Sequence, residues 1–441
     1  MFDVISKVTL KLSTYCNLAC EYCHQMTDDK KHHVTFEKYK EMYDFLLKTN
    51  LSDVVEVTLT GGEISLLEEE YETAVKWFRK IERQRDVKFT FAVVSNGTNI
   101  KQLFKLIKQG DLNPKRTTIS WDGLYTMSKS RKSKFEKFND DFFKNVVTEI
   151  GQSPWAKQLN ITHAITPTTI PYLHDSLVFA LDAGVKNFGF YYIHEADYSD
   201  KEFLKIYDEQ VTKLGEEFVK RYEDLSTRFV YYNWQLLYAK ENLPTDNKEL
   251  MRATTLCHKL GRTVHFDPLG DIYGCIYFGD HRALKLGDLE NGNIDKTKYQ
   301  KFSDQYFEMP GCKLDSCGNS HCFECPASNY VHKGKMANRF SNTCEMLSIE
   351  KRIYYDLKPK LKIDEFDKAF YWMEEDHLEQ KNYDDKYETY LNDIVGIPLT
   401  EEAYVEDDEY SNRLSPTYKN VVTWMKKTPK KKEFTLNLET I

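Results

Sequence analysis

The cysteines of this chain of 441 residues form two groups instead of being spread along it. Three lie near the start, at Cys16, Cys20 and Cys23, and the other seven lie between Cys257 and Cys344. Thiolates at such short spacings are typical ligands of zinc or of iron–sulfur clusters. The clustering therefore predicts two metal sites and disfavours a set of unconnected buried thiols.

The first group has the spacing C-x3-C-x2-C and follows a predicted strand, in a segment without helical periodicity. Three thiolates at this spacing can hold one [4Fe–4S] cluster, which leaves one iron without a protein ligand. An open metal position of this kind can bind a substrate or a cofactor. The alternative is a zinc ion, which usually takes four ligands, with His24 as a candidate for the fourth.

An alternation of strand-like and helix-like segments fills the first 200 residues and must position these thiols. The predicted strands are residues 8–12, 54–60, 88–94, 117–121, 160–164 and 187–192. Helical spacing marks residues 35–48, 68–84, 135–150 and 201–225. Strands joined by helical crossovers form a parallel sheet covered by helices. We therefore expect an α/β fold, and specifically an open, partial (β/α)6 barrel, because six units are too few to close an eight-unit barrel.

Polar residues follow three of these strands, at the barrel end where active sites lie. The segments read Thr60-Gly61-Gly62-Glu63, Ser95-Asn96-Gly97-Thr98 and Ser120-Trp121-Asp122-Gly123. The two glycines would let the backbone approach a ligand closely, and the Glu63 carboxylate suits a ligand ammonium. Each segment also has a plainer interpretation as a tight turn without a ligand.

These motifs together resemble the radical S-adenosylmethionine superfamily, whose C-x3-C-x2-C motif has an aromatic residue before the last cysteine, here Tyr22. The resemblance implies that the open iron chelates S-adenosylmethionine. One electron then cleaves the sulfonium to a 5′-deoxyadenosyl radical, which abstracts hydrogen from the substrate. It also implies that Glu63 binds the methionyl amine, although Ile64 stands where the family commonly has Pro. The cofactor-binding residues expected from the resemblance are Tyr22, Gly61, Gly62, Glu63, Ser95, Asn96 and Ser120.

The second cysteine group resembles a SPASM domain, which carries two auxiliary [4Fe–4S] clusters. By order along the chain, the resemblance assigns Cys257, Cys275 and Cys325 to the first cluster and Cys312, Cys317, Cys322 and Cys344 to the second. The middle spacing, C-x4-C-x4-C-x2-C, departs from the usual pattern. Seven thiols are one short of eight, so the first cluster has an open iron or a ligand other than Cys. Nearby candidates are His258, Asp267 and Asp271, and zinc knuckles are the alternative.

Three regions are predicted: a partial barrel at 1–240, an auxiliary-cluster domain at 241–348 and a C-terminal extension at 349–441. The extension either caps the barrel or docks a leader peptide. The net charge of −8 disfavours a nucleic-acid partner, and no run of about 18 apolar residues suggests a membrane span. The start of the chain also lacks the features of a secretory signal. We therefore expect a cytoplasmic protein.

Relatives with this arrangement mostly modify peptides or proteins. We therefore expect oxidative formation of a side-chain crosslink (C–C, ether or thioether) in a ribosomal precursor peptide, with a one-electron reductant such as flavodoxin or ferredoxin. One alternative is a sulfatase-type maturase that forms formylglycine. Such enzymes usually have Asp after the second cysteine of the auxiliary domain, where this chain has Ile276. The other alternative is a non-catalytic iron–sulfur or zinc protein used in binding or sensing.

Overall fold

A computed structural model describes most of the first 222 residues and parts of the remainder. The ranges described are 4–23, 32–110, 112–133, 135–193, 198–222, 229–231, 263–279, 282–299 and 344–360, with the single residues 196, 234, 301, 329, 330 and 334. Within them, the strands are β1 (Ile5–Lys11), β2 (Leu18–Cys20), β3 (Leu51–Thr60), β4 (Lys88–Ser95), β5 (Thr117–Ser120), β6 (Arg131–Ser133), β7 (Asn160–Ile165), β8 (Asn187–Tyr192), β9 (Val230–Tyr231), β10 (Thr263–Phe266), β11 (Asp271–Tyr273), β12 (Gly287–Asp288) and β13 (Asn293–Ile294). The helices are α1 (Phe36–Leu47), α2 (Glu68–Glu82), α3 (Ile100–Lys108), α4 (Met127–Ser130), α5 (Asp140–Gln152), α6 (Leu173–Ala183), α7 (Lys201–Tyr222) and α8 (Cys344–Leu357).

One sheet of eleven strands organises the described residues, in the order β13-β12-β11-β10-β1-β3-β4-β5-β7-β8-β9. The strands from β10 to β9 in this order pair in parallel. The six strands predicted from the sequence lie side by side in chain order at its centre, which confirms the parallel α/β fold. The short β9 and β10 are additional parallel strands at its two sides. A separate pair, β2 with β6, is antiparallel.

The two faces of the sheet differ in polarity. On β4, Phe89 and Phe91 contact the ring of Phe78 on α2, with centroids 5.0 and 5.9 Å apart. This face therefore packs on the helices and forms the main core. Lys7 of β1 forms an ion pair with Glu56 of β3. The same carboxylate pairs with Arg116, with 3.0 Å between Arg116 Nη1 and Glu56 Oε2. Alternation of apolar and polar residues along the strands thus buries one side against helices.

The predicted helices form with small changes at their ends. Thr35 caps α1 by accepting a hydrogen bond from the Lys38 N–H. The fifth helix begins at Asp140 and not at residue 135 as expected, because Asn139 caps it by accepting from the Phe142 N–H at 3.0 Å. None of the helices within the described ranges is long and apolar enough to cross a membrane.

The second region continues the sheet of the first. A hairpin turn at Gly270 joins antiparallel β10 and β11, with Gly270 in the left-handed region at φ 89°. The β10 strand pairs in parallel with β1. Helix α8 packs on α7, where Glu350 accepts a 2.6 Å hydrogen bond from Tyr207. The boundaries predicted for the three regions remain predictions.

Candidate cofactor site at the strand ends

The loop that carries the first three cysteines lies across the end of β3. The Gly62 N–H donates to the Ser13 carbonyl at 3.0 Å, and the Glu63 N–H donates to that of Tyr15 at 2.8 Å. A Cβ atom on Gly62 would lie 2.0 Å from the Tyr15 carbonyl oxygen, so only glycine fits here. The sequence predicted the approach of a ligand at this glycine, and the structure places the backbone of the cysteine loop there.

Glu63 is a buried carboxylate held by neutral donors. Its Oε1 accepts from the Ser65 N–H at 2.9 Å and from the Ser95 hydroxyl at 2.6 Å. Its Oε2 accepts from the Asn96 N–H at 2.6 Å. Among the residues that the structure describes, no Lys, Arg or His forms an ion pair with it. The site thus contains a negative charge that an incoming cation could neutralise.

The segment after β4 ties the cysteine loop to the sheet. The Asn96 side-chain amide donates to Asn17 Oδ1 at 2.9 Å, and the Asn17 amide donates to the Thr98 hydroxyl at 2.9 Å. Asn96 Nδ2 also lies 3.8 Å from Cys16 Sγ. Ser95 and Asn96, expected among the cofactor-binding residues, thus form hydrogen bonds with Glu63 and the cysteine loop. Their contact with a cofactor remains a prediction.

Ser120 ends β5 at the same edge of the sheet. Its side chain is mostly buried, and its hydroxyl makes no hydrogen bond with the residues described. Of Ser95, Asn96 and Ser120, Ser120 is therefore the residue whose side chain is available to a ligand.

A charged cluster that sequence reasoning did not single out lies beside Cys20. Arg131 Nε and Nη2 lie 3.0 and 3.1 Å from the two carboxylate oxygens of Asp122. Tyr22 donates its hydroxyl to the same carboxylate, and Ser130 does so at 2.7 Å. Little in the sequence indicates this cluster. Asp122 lies in a strand-end motif, but Arg131 meets it only because β6 pairs with β2.

The ionisation of this cluster follows from burial and from charge. Burial opposes the charged form of Asp122, but the Arg131 charge outweighs it and lowers the pKa of that carboxyl. Burial raises the pKa of the Cys16 thiol to about 11 and that of Cys20 to about 12. Metal binding requires deprotonated thiols, so a bound cluster would have to overcome this effect of burial.

The three thiols lie near one another without forming a single-ion site. Cys16 and Cys23 both raise the pKa of Cys20, which shows their mutual proximity. Across the residues described, no three His, Cys, Asp or Glu side chains converge on one metal position. Tetrahedral zinc needs its ligands gathered around one ion. In a [4Fe–4S] cluster each thiolate binds a different iron, so the sulfurs lie farther apart.

The other predicted site residues are only partly within the described ranges. Cys275 follows β11 and Cys344 begins α8, and both are partly buried. Asp267 Oδ1 accepts from the N–H groups of Leu269 and Asp271 in the hairpin turn, and Asp271 pairs with Lys285. Outside the described residues lie Cys257, Cys312, Cys317, Cys322, Cys325, His24 and His258.

The parallel α/β sheet thus places a thiol-bearing loop and a buried carboxylate at its strand ends, which is where barrel enzymes have their active sites. Residues 10–141 match the family model described as the radical SAM superfamily. Residues 10–141 therefore form a radical SAM domain. This family implies a [4Fe–4S] cluster and S-adenosylmethionine as cofactors.

Two curated relatives match parts of the chain. An uncharacterised protein of Methanocaldococcus jannaschii is 28% identical over 193 residues, which are 43% of this chain and 63% of that protein. GTP 3′,8-cyclase of Nautilia profundicola is 29% identical over 121 residues, 27% of this chain and 36% of that enzyme. The chain thus spans less than two thirds of either relative.

Solved structures share the fold over more of the chain. Native anSMEcpe with bound AdoMet and Cp18Cys peptide has a TM-score of 0.61 at 17% identity, covering 80% of this chain and 97% of that one. Streptococcus suis SuiB bound to precursor peptide SuiA has a TM-score of 0.51 at 15% identity, covering 77% and 76%. At these identities the likeness shows the fold alone.

Proposed function

We propose that this chain is a radical SAM enzyme that modifies a peptide, forming an oxidative side-chain crosslink in a ribosomal precursor. The observation that carries the cofactor chemistry is Glu63, a buried carboxylate without a cationic partner among the described residues, next to the loop of Cys16, Cys20 and Cys23. The peptide substrate is supported by the fold shared with proteins solved with bound peptides. The crosslink itself rests on the family resemblance.

In this proposal the three thiols hold a [4Fe–4S] cluster. Bound there, the cluster and S-adenosylmethionine supply a 5′-deoxyadenosyl radical that can abstract hydrogen from a substrate carbon. The thiols are assigned to a cluster and not to zinc because their C-x3-C-x2-C spacing lies within the segment that matches the radical SAM family model. Two N–H donors, from Leu18 at 3.4 Å and Asn96 at 3.8 Å, approach Cys16 Sγ and would stabilise its thiolate.

The residues around the thiols would bind and orient the cofactor. Glu63 would bind the methionyl ammonium through a charge-assisted hydrogen bond. Ser95 and Asn96 would hold that carboxylate in place with donors at 2.6 Å, which is a positioning role. Ser120 would contact the ribose with its hydroxyl, which makes no hydrogen bond among the described residues. Gly62 would fix the distance between Glu63 and the cysteine loop, since no side chain fits there.

We assign a second, auxiliary site to the cysteines that begin at Cys257. Cys275 and Cys344 are its members within the described residues, and the hairpin of β10 and β11 leads into Cys275. Clusters there would accept an electron from a substrate radical during a two-electron oxidation. Ile276, an apolar residue directly after Cys275, supplies no proton acceptor of the kind expected in a sulfatase-type maturase. It therefore favours crosslinking over formylglycine formation.

The first test is analysis of the full chain after anaerobic reconstitution. Three [4Fe–4S] clusters predict about twelve irons and about twelve sulfides per chain. A strong one-electron reductant and S-adenosylmethionine should then yield 5′-deoxyadenosine. Cys20→Ala should abolish this product, while Cys275→Ala should lower the iron content and leave cofactor cleavage. Zinc in place of iron, with no 5′-deoxyadenosine from the unaltered chain, would contradict the proposal.

The second test concerns the product. A precursor peptide co-expressed with the chain should lose the mass of two hydrogens, and the loss should be absent with Cys20→Ala. Fragmentation should show two side chains linked together. An aldehyde that reacts with a hydrazide would instead identify formylglycine and support the sulfatase-type alternative.

A further inference from the structure

The pairing of two short strands places a buried arginine against one cysteine of the site. In the antiparallel pair of β2 and β6, Cys20 lies opposite Arg131. Arg131 is 5% exposed, and its Nη1 lies 3.8 Å from Cys20 Sγ, within range of an N–H···S hydrogen bond. A positive charge is therefore held next to a sulfur that the proposed function assigns to the cluster.

The direction of the guanidinium is fixed by its other partners. Nε and Nη2 face the carboxylate of Asp122, at 3.0 and 3.1 Å, and Nη2 also lies 3.4 Å from the Tyr191 hydroxyl. The guanidinium carbon lies 5.5 Å from the centre of the Tyr22 ring. These contacts occupy one edge of the guanidinium and leave Nη1 directed at the sulfur of Cys20.

Cys16 has a different set of donors. Its sulfur is approached by the Leu18 backbone N–H at 3.4 Å and by the Asn96 amide at 3.8 Å, both of which are neutral. The charged donor is thus specific to Cys20 within this pair of cysteines. Asp122 opposes the effect of Arg131, but its influence on the pKa of the Cys20 thiol is the smaller of the two.

We propose that Arg131 raises the reduction potential of the cluster held by Cys16, Cys20 and Cys23, with Asp122 as the residue that orients it and partly offsets its charge. This inference rests on the proposed function. Reduction adds one electron from an external one-electron donor to the cluster, with no bond made or broken. The cluster becomes more negative by one charge, so a nearby cation favours the reduced state. Hydrogen bonds to the sulfurs and local charge are known determinants of such potentials.

The test is a redox titration of the reconstituted full chain without S-adenosylmethionine, followed by electron paramagnetic resonance. The signal of this site is the one that Cys20→Ala removes. Arg131→Gln should lower the equilibrium constant for one-electron reduction about tenfold, which corresponds to about 59 mV. Arg131→Lys, which keeps the charge, should lie closer to the unaltered chain. Asp122→Asn should shift the potential upward.

The double variant Asp122→Asn with Arg131→Gln removes the buried pair together, and it serves if Arg131→Gln alone does not fold. Its potential should lie below that of Asp122→Asn by the same tenfold factor. An unshifted potential in Arg131→Gln would overturn the inference, as would shifts of one sign in both single variants. Weaker binding of S-adenosylmethionine without a shift would identify Arg131 as a cofactor ligand and overturn it too. Failure of the proposed function is separate, because the unaltered chain would then lack the signal or the cleavage activity.

Discussion

Two buried carboxylates flank the cysteine loop, and they differ in what balances their charge. Asp122 faces Arg131 across 3.0 Å, so its negative charge is compensated within the protein. Glu63 is equally buried, but among the described residues its carboxylate accepts hydrogen bonds from the neutral donors of Ser65, Ser95 and Asn96. An ion pair within the fold maintains structure, whereas an uncompensated buried carboxylate is suited to a cationic ligand.

The difference arises from the elements that carry each residue. Glu63 follows β3 and accepts donors from its own turn and from the end of β4, all of which are local to the strand ends. Asp122 follows β5. It meets Arg131 because β6, which begins at Arg131, pairs with β2 in the cysteine loop. One carboxylate thus faces the site and the other joins the cysteine loop to the sheet.

The largest expected effect on cofactor binding is its loss in Glu63→Gln. Removing one member of a desolvated charge pair should weaken S-adenosylmethionine binding by roughly 100-fold. The free energy of unfolding should change by about 1 kcal/mol or less, because no buried cation loses its partner. Equilibrium dialysis and urea denaturation measure the two quantities. Glu70→Gln, on the surface of α2, is the matched control, and unchanged binding in Glu63→Gln would remove the proposed role.

The opposite pattern is expected for Asp122→Asn. This change leaves the Arg131 charge buried and uncompensated, which should lower the free energy of unfolding by roughly 3–5 kcal/mol. Adding Arg131→Gln should restore most of that stability. Asp208→Asn, which breaks the more exposed pair with Arg352, should cost about 1 kcal/mol or less. Equal losses of stability in Asp122→Asn and Asp208→Asn would mean that the buried pair contributes no more than the exposed one.

His163 provides a pH-dependent test of the same comparison. It is fully buried beside Asp122, and both ring nitrogens lack a hydrogen-bond partner among the described residues. Burial lowers its pKa to about 4, and the nearby Asp122 carboxylate, which acts in the opposite direction, does not outweigh burial and the Arg131 charge. The unfolded chain therefore binds a proton at higher pH than the folded one. Stability is complete above about pH 6.5 and should fall by about 3 kcal/mol as the pH drops to about 4.

The variant His163→Leu should lose this part of the acid sensitivity, whereas His174→Leu, at the partly exposed start of α6, should keep it. Urea midpoints at pH 7 and pH 5 measure the difference. Equal acid sensitivity in the His163→Leu variant and the unaltered chain would place the titrating group elsewhere.

The sequence predicted the barrel and part of the site for a physical reason. Strand and helix periodicity are local, so the six central strands and the position of Glu63 at a strand end could be inferred from the order of residues. The partner of Asp122 could not, because a three-residue pairing of β2 with β6 brings Arg131 to it. Nor could the role of Gly62, which depends on the path of the cysteine loop over β3.

The smallest expected effects on stability come from removing one hydroxyl donor from each of the two carboxylates. Tyr22→Phe removes one donor to Asp122 but keeps the ring near Arg131, and Asp122 retains both Arg131 and Ser130. We expect a loss of about 1 kcal/mol in the free energy of unfolding. Ser95→Ala removes one of three neutral donors from Glu63, so about 2 kcal/mol should be lost because the remaining charge is poorly satisfied. Urea denaturation of both variants measures which one loses more stability. A larger loss in Tyr22→Phe would mean that Glu63 is the better compensated of the two carboxylates.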